Sequence, residues 1–171
     1  MVPAYFILTV AFLPCFSLAA YDRSAPTYLL VSSGIDGLAS PNVVFSNDEM
    51  YIGTPPDDSE TLYVHLDNAK LSFVKYTESI MGVQYAYIET AGRVKFTPAR
   101  SETQGDIGFA GYDGFLIYEK HSSWCARKIK SNGLYRVEWK KAWFNPSCVD
   151  IQLRLVEVRG RGKFRNQNSR K

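Results

Sequence analysis

The 171-residue sequence predicts an all-β protein, a single compact antiparallel domain of about ten to twelve short strands closed as a barrel or trefoil or stacked as a sandwich. Apolar and polar residues alternate with a period of two in one segment after another, the signature of half-buried strands. Turn dipeptides fall between these segments, and the turn-to-strand signals at Leu71, Val94, Leu116 and Leu134 have the rhythm of successive hairpins. No window of helical length sustains an apolar period of three to four residues. A composition of 46% apolar, 14% aromatic and 22% charged residues excludes collagen, a long coiled coil and wholesale disorder.

The first element is a leader. Residues 4–16 are almost wholly apolar and carry no charge, and Ser17-Leu18-Ala19 then places small residues where a signal peptidase reads. A signal peptide over residues 1–19 is expected, cleaved after Ala19 or Ala20, and the product is secreted. The run is too short to span a bilayer, and no Lys or Arg precedes it; the other reading is a buried N-terminal helix or a membrane anchor. No later stretch approaches the ~20 consecutive apolar residues of a transmembrane helix.

The all-β domain is expected over residues 20–158. Leu62, Val64 and Leu66 alternate with Tyr63 and His65, and Asp67-Asn68-Ala69 turns the chain into Leu71 and Phe73. Tyr85 to Ile88 follows, then a turn at Thr90-Ala91-Gly92 and a strand with Val94 and Phe96 opposite Arg93 and Lys95. Asp113-Gly114 precedes Phe115 to Tyr118, a nearly continuous apolar run that predicts a strand covered on both faces. Asn132-Gly133 leads into Tyr135, Val137 and Trp139, alternating with Arg136 and Glu138. Finally Val149, Ile151, Leu153 and Leu155 alternate with Asp150, Gln152 and Arg154, and the phase slips at Val156, where a bulge is expected. Surface loops are expected at residues 32–41, with two glycines, and at residues 53–60, with two prolines and a charge cluster.

Removal of the leader takes Cys15 away and leaves an even pair. In an oxidising route Cys125 and Cys148 should form a disulfide. No metal site or cofactor is expected, because His65 and His121 are isolated and no Cys or His spacing matches a zinc site.

Charge is divided along the chain. Residues 20–119 carry more acid than base, and residues 120–171 are strongly basic. Arg159, Arg161, Lys163, Arg165, Arg170 and Lys171, interleaved with Gly, Asn and Ser, predict a flexible basic tail over residues 159–171 that would attract polyanions. A purely solubilising end is the plainer reading. The Arg-Gly repeat resembles an RNA-binding element, but a secreted chain does not meet nucleic acid, and no such partner is expected.

Catalytic patterns are wanting, and the chain is read as non-enzymatic. His121-Ser122-Ser123 puts its hydroxyls beside the base in sequence without a nucleophile elbow. Asp48-Glu49 and Asp57-Asp58-Ser59-Glu60 place acids near one another, as glycoside hydrolysis requires, yet in polar stretches that read as solvated. Sugar binding fits better. The chain holds 11 Tyr, 10 Phe and 3 Trp, and aromatic faces stack on apolar ring surfaces. Trp143 and Phe144, flanked by Lys140 and Lys141 and lying between the cysteines, are the candidate glycan contacts, whereas Trp139, in phase with Val137, reads as core.

Tyr85-Ala86-Tyr87-Ile88, Gly92 to Phe96, Gly108-Phe109-Ala110, Asp113 to Tyr118, Trp124-Cys125-Ala126 and Cys148 to Arg154 follow one another in an order that resembles a fungal family. It is that of secreted cell-wall proteins, the GPI-anchored surface proteins of Candida-type yeasts and the related PhiA-like wall proteins; the likeness runs from about Tyr63 to Val158. The resemblance implies a secreted or wall-associated protein with no catalytic residues to carry over. Departures are the lack of a Ser/Thr-rich stalk, of an apolar anchor signal and of an Asn-x-Ser/Thr sequon, since Asn145-Pro146-Ser147 is blocked by proline. The expected role is therefore a non-enzymatic cell-wall or surface protein whose partners are wall glycans or other polyanions. A secreted effector or toxin-like protein acting on a foreign membrane or protein is the alternative.

Overall fold

A computed structural model describes residues 26–76, 81–97, 105–130, 133–140 and 147–158. They form thirteen strands and no helix: β1 (Thr27–Ser33), β2 (Val44–Ser46), β3 (Glu49–Gly53), β4 (Glu60–Thr61), β5 (Tyr63–Asp67), β6 (Lys70–Tyr76) and β7 (Met81–Ile88) come first. β8 (Val94–Phe96), β9 (Phe109–Tyr112), β10 (Phe115–Tyr118), β11 (Trp124–Lys130), β12 (Leu134–Trp139) and β13 (Cys148–Glu157) complete them. The count exceeds the expected range because β4 contributes only two residues, inside what reads as loop.

Every pairing is antiparallel, and the order β1-β5-β6-β7-β8-β3-β12-β11-β13 returns to β1, so nine strands close into a barrel. Of the three architectures the pattern left open, the barrel is the one adopted. Its seam is the longest ladder, six consecutive pairs from Tyr28↔Glu157 to Ser33↔Gln152. The register runs unbroken through Val156, so the bulge expected there does not occur; Val156 faces outward and is 42% exposed, and the irregularity falls instead in β11, between Lys128 and Lys130.

Alternation builds the core. Leu30, Ile52, Val64, Leu71, Ala86, Val94, Ala126, Val137 and Leu153 are fully buried, and Phe45, Phe73 and Phe96 pack as a triad with centroids 4.6–5.6 Å apart. Val149 keeps the phase of the expected series, opposite buried Ala126, but is left 49% exposed.

Tight turns with two consecutive left-handed residues join several hairpins: Asn47-Asp48, Asn68-Ala69, Asp113-Gly114 and Glu119-Lys120. The β9–β10 hairpin lies outside the ring, paired to β13 through Phe115↔Arg154. Residues 105–109 carry the chain to it, with Asp106 N–H donating to the Ala86 carbonyl and both Gly108 and Phe109 donating to that of Ala69. The hairpin then inserts Phe109, Leu116 and Tyr118 into the core cluster, closing one end of the barrel. Only one face of β10 is fully buried; Phe115 and Ile117 on the other are half-exposed, contrary to the doubly covered strand expected.

Candidate functional site

Beside the capped end, β11 and β12 set Trp124 and Trp139 opposite each other, with ring centroids 4.9 Å apart at 70°. Tyr118 meets Trp139 edge-on at 5.2 Å, and Phe109 packs 4.7 Å from Tyr118. The polar handles are satisfied inside this cluster, as burial demands. Trp124 Nε1–H donates to the Leu116 carbonyl at 2.6 Å, and Tyr118 O–H donates to Asp106 Oδ2, which also accepts the Ile88 N–H. Burial, then the negative charges of Asp106 and Glu119, push the Tyr118 phenol up to about 12.

Tyr118, Trp124 and Trp139 of this cluster line a cleft of about 970 Å³. Ser33 and Gly34 at the end of β1 form one wall, and Asp150 to Gln152 of β13 form the next. The β10–β11 connection adds Glu119, His121, Ser122 and Ser123, and Lys140 closes the rim past β12. The connection is shaped by the Glu119-Lys120 turn, both residues at positive φ, clamped by reciprocal backbone bonds of 2.9 Å between Tyr118 and His121. Neither side chain is suited to that conformation, so the surrounding contacts impose it. Lys140 donates its backbone N–H to Ser123 and pairs its ammonium with the Asp150 carboxylate. Hydroxyls, an amide, an imidazole and a cancelled ion pair thus share the lining with aromatic rings.

A smaller cleft of about 610 Å³ adjoins it, and Ser122 and Gln152 line both. Its floor is Leu116 and Leu153, and its outer wall includes Tyr112 and Lys120.

The outer face of β8, β3, β12 and β11 carries a separate network. Glu138 is only 2% exposed, and its carboxylate accepts from Arg127 Nε at 2.8 Å and Arg136 Nη2 at 2.8 Å. Burial alone would raise its pKa, but the two guanidinium hydrogen bonds outweigh that and hold it below the usual carboxylate range. Glu49, expected to be solvated, is also buried: Arg93, Arg136 and Lys95 lie 3.6–4.0 Å away, and Tyr51 O–H donates to it at 2.8 Å. Burial and the neighbouring Glu49 push the Tyr51 phenol up to about 12. Long guanidinium stems cover these acids, which alternation alone reads as outward and wet. Asp58, in the other acidic run, accepts from Ser46 Oγ at 3.0 Å.

Cys125 and Cys148 form the expected disulfide, joining β11 to β13 on this outer face. Their sulfurs and a Glu138 oxygen lie within 4.8 Å of one another, but the sulfurs are bonded together and the carboxylate is taken by two arginines, so the set does not suit a cation.

Of the candidate glycan contacts, Lys140 lies at the cleft rim, whereas Lys141, Trp143 and Phe144 lie outside the described residues, as do the six basic residues of the tail. Trp139 belongs to the core cluster, as its phase implies, and also lines the cleft. Gln152, Asp150, Ser33 and Ser123 were not visible as site residues, because each reads as an ordinary outward or loop position and only the closed barrel brings them together. The His121-Ser122-Ser123 run lines the cleft, yet among the described residues the imidazole has no hydroxyl or carboxylate hydrogen-bond partner. No protein-family model, curated protein or solved structure matches the chain.

Proposed function

We propose that this is a secreted, non-enzymatic fungal cell-wall or surface-associated protein that binds wall polysaccharide. The observation that carries the reading is the cleft beside the Tyr118–Trp139 pair, which hydroxyl, amide and imidazole groups line together with the edges of these largely buried rings. Such a combination suits a sugar, whose hydroxyls need directional partners and whose C–H faces need apolar ones. A binding role is read in preference to a catalytic one because the sequence around His121-Ser122-Ser123 carries no nucleophile elbow. The leader-like residues 1–19, the disulfide and the fungal wall-protein resemblance support the secreted, wall-bound setting.

The test is a pull-down on insoluble β-glucan, chitin and mannan-rich walls at low and high salt, with the intact chain and with Gln152→Ala and His121→Ala in the cleft. Binding that survives high salt and falls at least about fivefold in the cleft variants supports the reading, since exposed ion pairing is screened over about 8–10 Å and these contacts are not. Binding that vanishes with salt makes the protein an electrostatically retained component, and absence of binding to every wall material overturns the sugar-binding role in favour of an effector acting elsewhere.

A further inference from the structure

We infer that the two adjoining clefts form one continuous trough that takes a linear, uncharged oligosaccharide, with Tyr112 as the stacking platform at its far end. This inference rests on the sugar-binding reading and names the ligand class for it.

Continuity is the first observation. Ser122 and Gln152 line both clefts, so the two lie side by side and a ligand long enough to pass these two side chains touches both. At about 970 and 610 Å³, each volume falls within the roughly 300–1,000 Å³ of a small-molecule site. A single sugar unit leaves most of that space to water. A chain fills it.

The ends of the trough differ. Near the tryptophans the aromatic rings are buried, and hydroxyl, amide and imidazole side chains share the lining with them. At the other end Tyr112 is 72% exposed, beside half-exposed Phe115 and Ile117 over buried Leu116 and Leu153. A large ring left in water at the lip of an apolar groove is an unused contact surface. Its backbone is fixed by the hairpin, because Tyr112 pairs with Phe115 across the tight Asp113-Gly114 turn. A pyranose matches this end through its C–H face on the open ring and the first end through its hydroxyl edge.

Charge then selects the class. Asp150 neutralises Lys140, so the cation expected to meet an acidic glycan is already occupied. What remains along the trough is Lys120 against Glu119 and Asp113, a balance that does not attract a polyanion. Sulfated, phosphorylated or uronate-rich chains are disfavoured here, whatever the basic tail does elsewhere.

The experiment measures affinity for β-1,3-gluco-, chito- and manno-oligosaccharides of two and six units by calorimetry, with the full chain and with Tyr112→Ala and Tyr112→Phe. The exposure of Tyr112 leaves the fold intact in both variants, and a thermal melt checks this. For at least one series the hexamer is expected to bind about tenfold tighter than the dimer. Tyr112→Ala should remove about five- to tenfold of hexamer affinity, the worth of one stacked ring, and leave the dimer unchanged, while Tyr112→Phe should retain the advantage. Excess sulfated glycan should not displace the hexamer. Equal affinity for dimer and hexamer, a hexamer advantage insensitive to Tyr112→Ala, or displacement by the sulfated chain overturns the trough and leaves the sugar-binding reading standing. Failure of every series to bind at either length overturns that reading itself.

Discussion

The indole of Trp124 donates its Nε1–H to the backbone carbonyl of Leu116 at 2.6 Å, tying the barrel wall to the hairpin that caps it. Both residues are essentially inaccessible to water, so this bond between wall and cap has no solvent substitute. Trp124→Phe keeps an aromatic ring but removes the N–H, orphans the Leu116 carbonyl and leaves a small void. A loss of about 2–4 kcal/mol in denaturant unfolding is expected, and a loss under about 1 kcal/mol would mean the bond does not hold the cap.

Glu138 gives the fold an acid-sensitive joint. Its pKa is depressed in the folded chain, so its contribution is complete above the ordinary carboxylate range and is lost as pH falls through the folded value. Glu138→Gln, which leaves Arg127 and Arg136 facing each other without a carboxylate, should cost about 3–5 kcal/mol at neutral pH. The gap between variant and parent should narrow as unfolding is followed from pH 7 to pH 3. A gap independent of pH would contradict the assignment.

Two glycines at similar φ should respond differently to alanine. At Gly92, φ +86°, an added Cβ would sit 2.3 Å from the Trp139 carbonyl oxygen, at the contact where the Trp139 N–H donates back to Gly92 and ties the turn before β8 to the end of β12. At Gly114, φ +78°, nothing lies within 4 Å. Gly114→Ala should therefore cost only the left-handed strain, about 1–2 kcal/mol, and Gly92→Ala at least about 3 kcal/mol. Thermal melts of the pair provide the check, and equal losses would remove the steric argument.

Cys125→Ser, or reduction of the intact chain, should cost about 2–5 kcal/mol. The comparison is of melting temperature with and without reductant. Unchanged melting would show that the β11–β13 contact is held by its ladder alone.

Much of the fold was legible because barrel strands keep one face in the core, so Val64, Phe73, Val94 and Leu153 announce themselves by alternation. Turns with Asn-Ala and Asp-Gly were legible for a related reason, since those side chains or their absence tolerate positive φ. The Glu119-Lys120 turn was not, because tertiary contacts rather than local preference impose it. Nor was the choice of a barrel, which depends on β1 meeting β13 across most of the chain. Glu49 and Glu138 were misleading for a different reason: an acid covered by arginine stems occupies an outward position without being wet. The cleft shares the fate of the barrel. Its residues come from β1, the β10–β11 connection, β12 and β13, so no local window contains it.

The seam between β1 and β13 also sets a timetable. The first described strand waits for the last before the ring can shut, and the disulfide waits for Cys148 at the head of that same last strand. Loop-closure entropy for so distant a pairing must be met late, which places the chain among slow, non-local folders. During synthesis the eight other ring strands emerge before their closing partner, with both flanks of the growing sheet open to stray pairing. A ribosome that stalls ahead of β13 would release an open sheet rather than a smaller barrel, making the last ten-residue strand the step on which quality control of this protein turns.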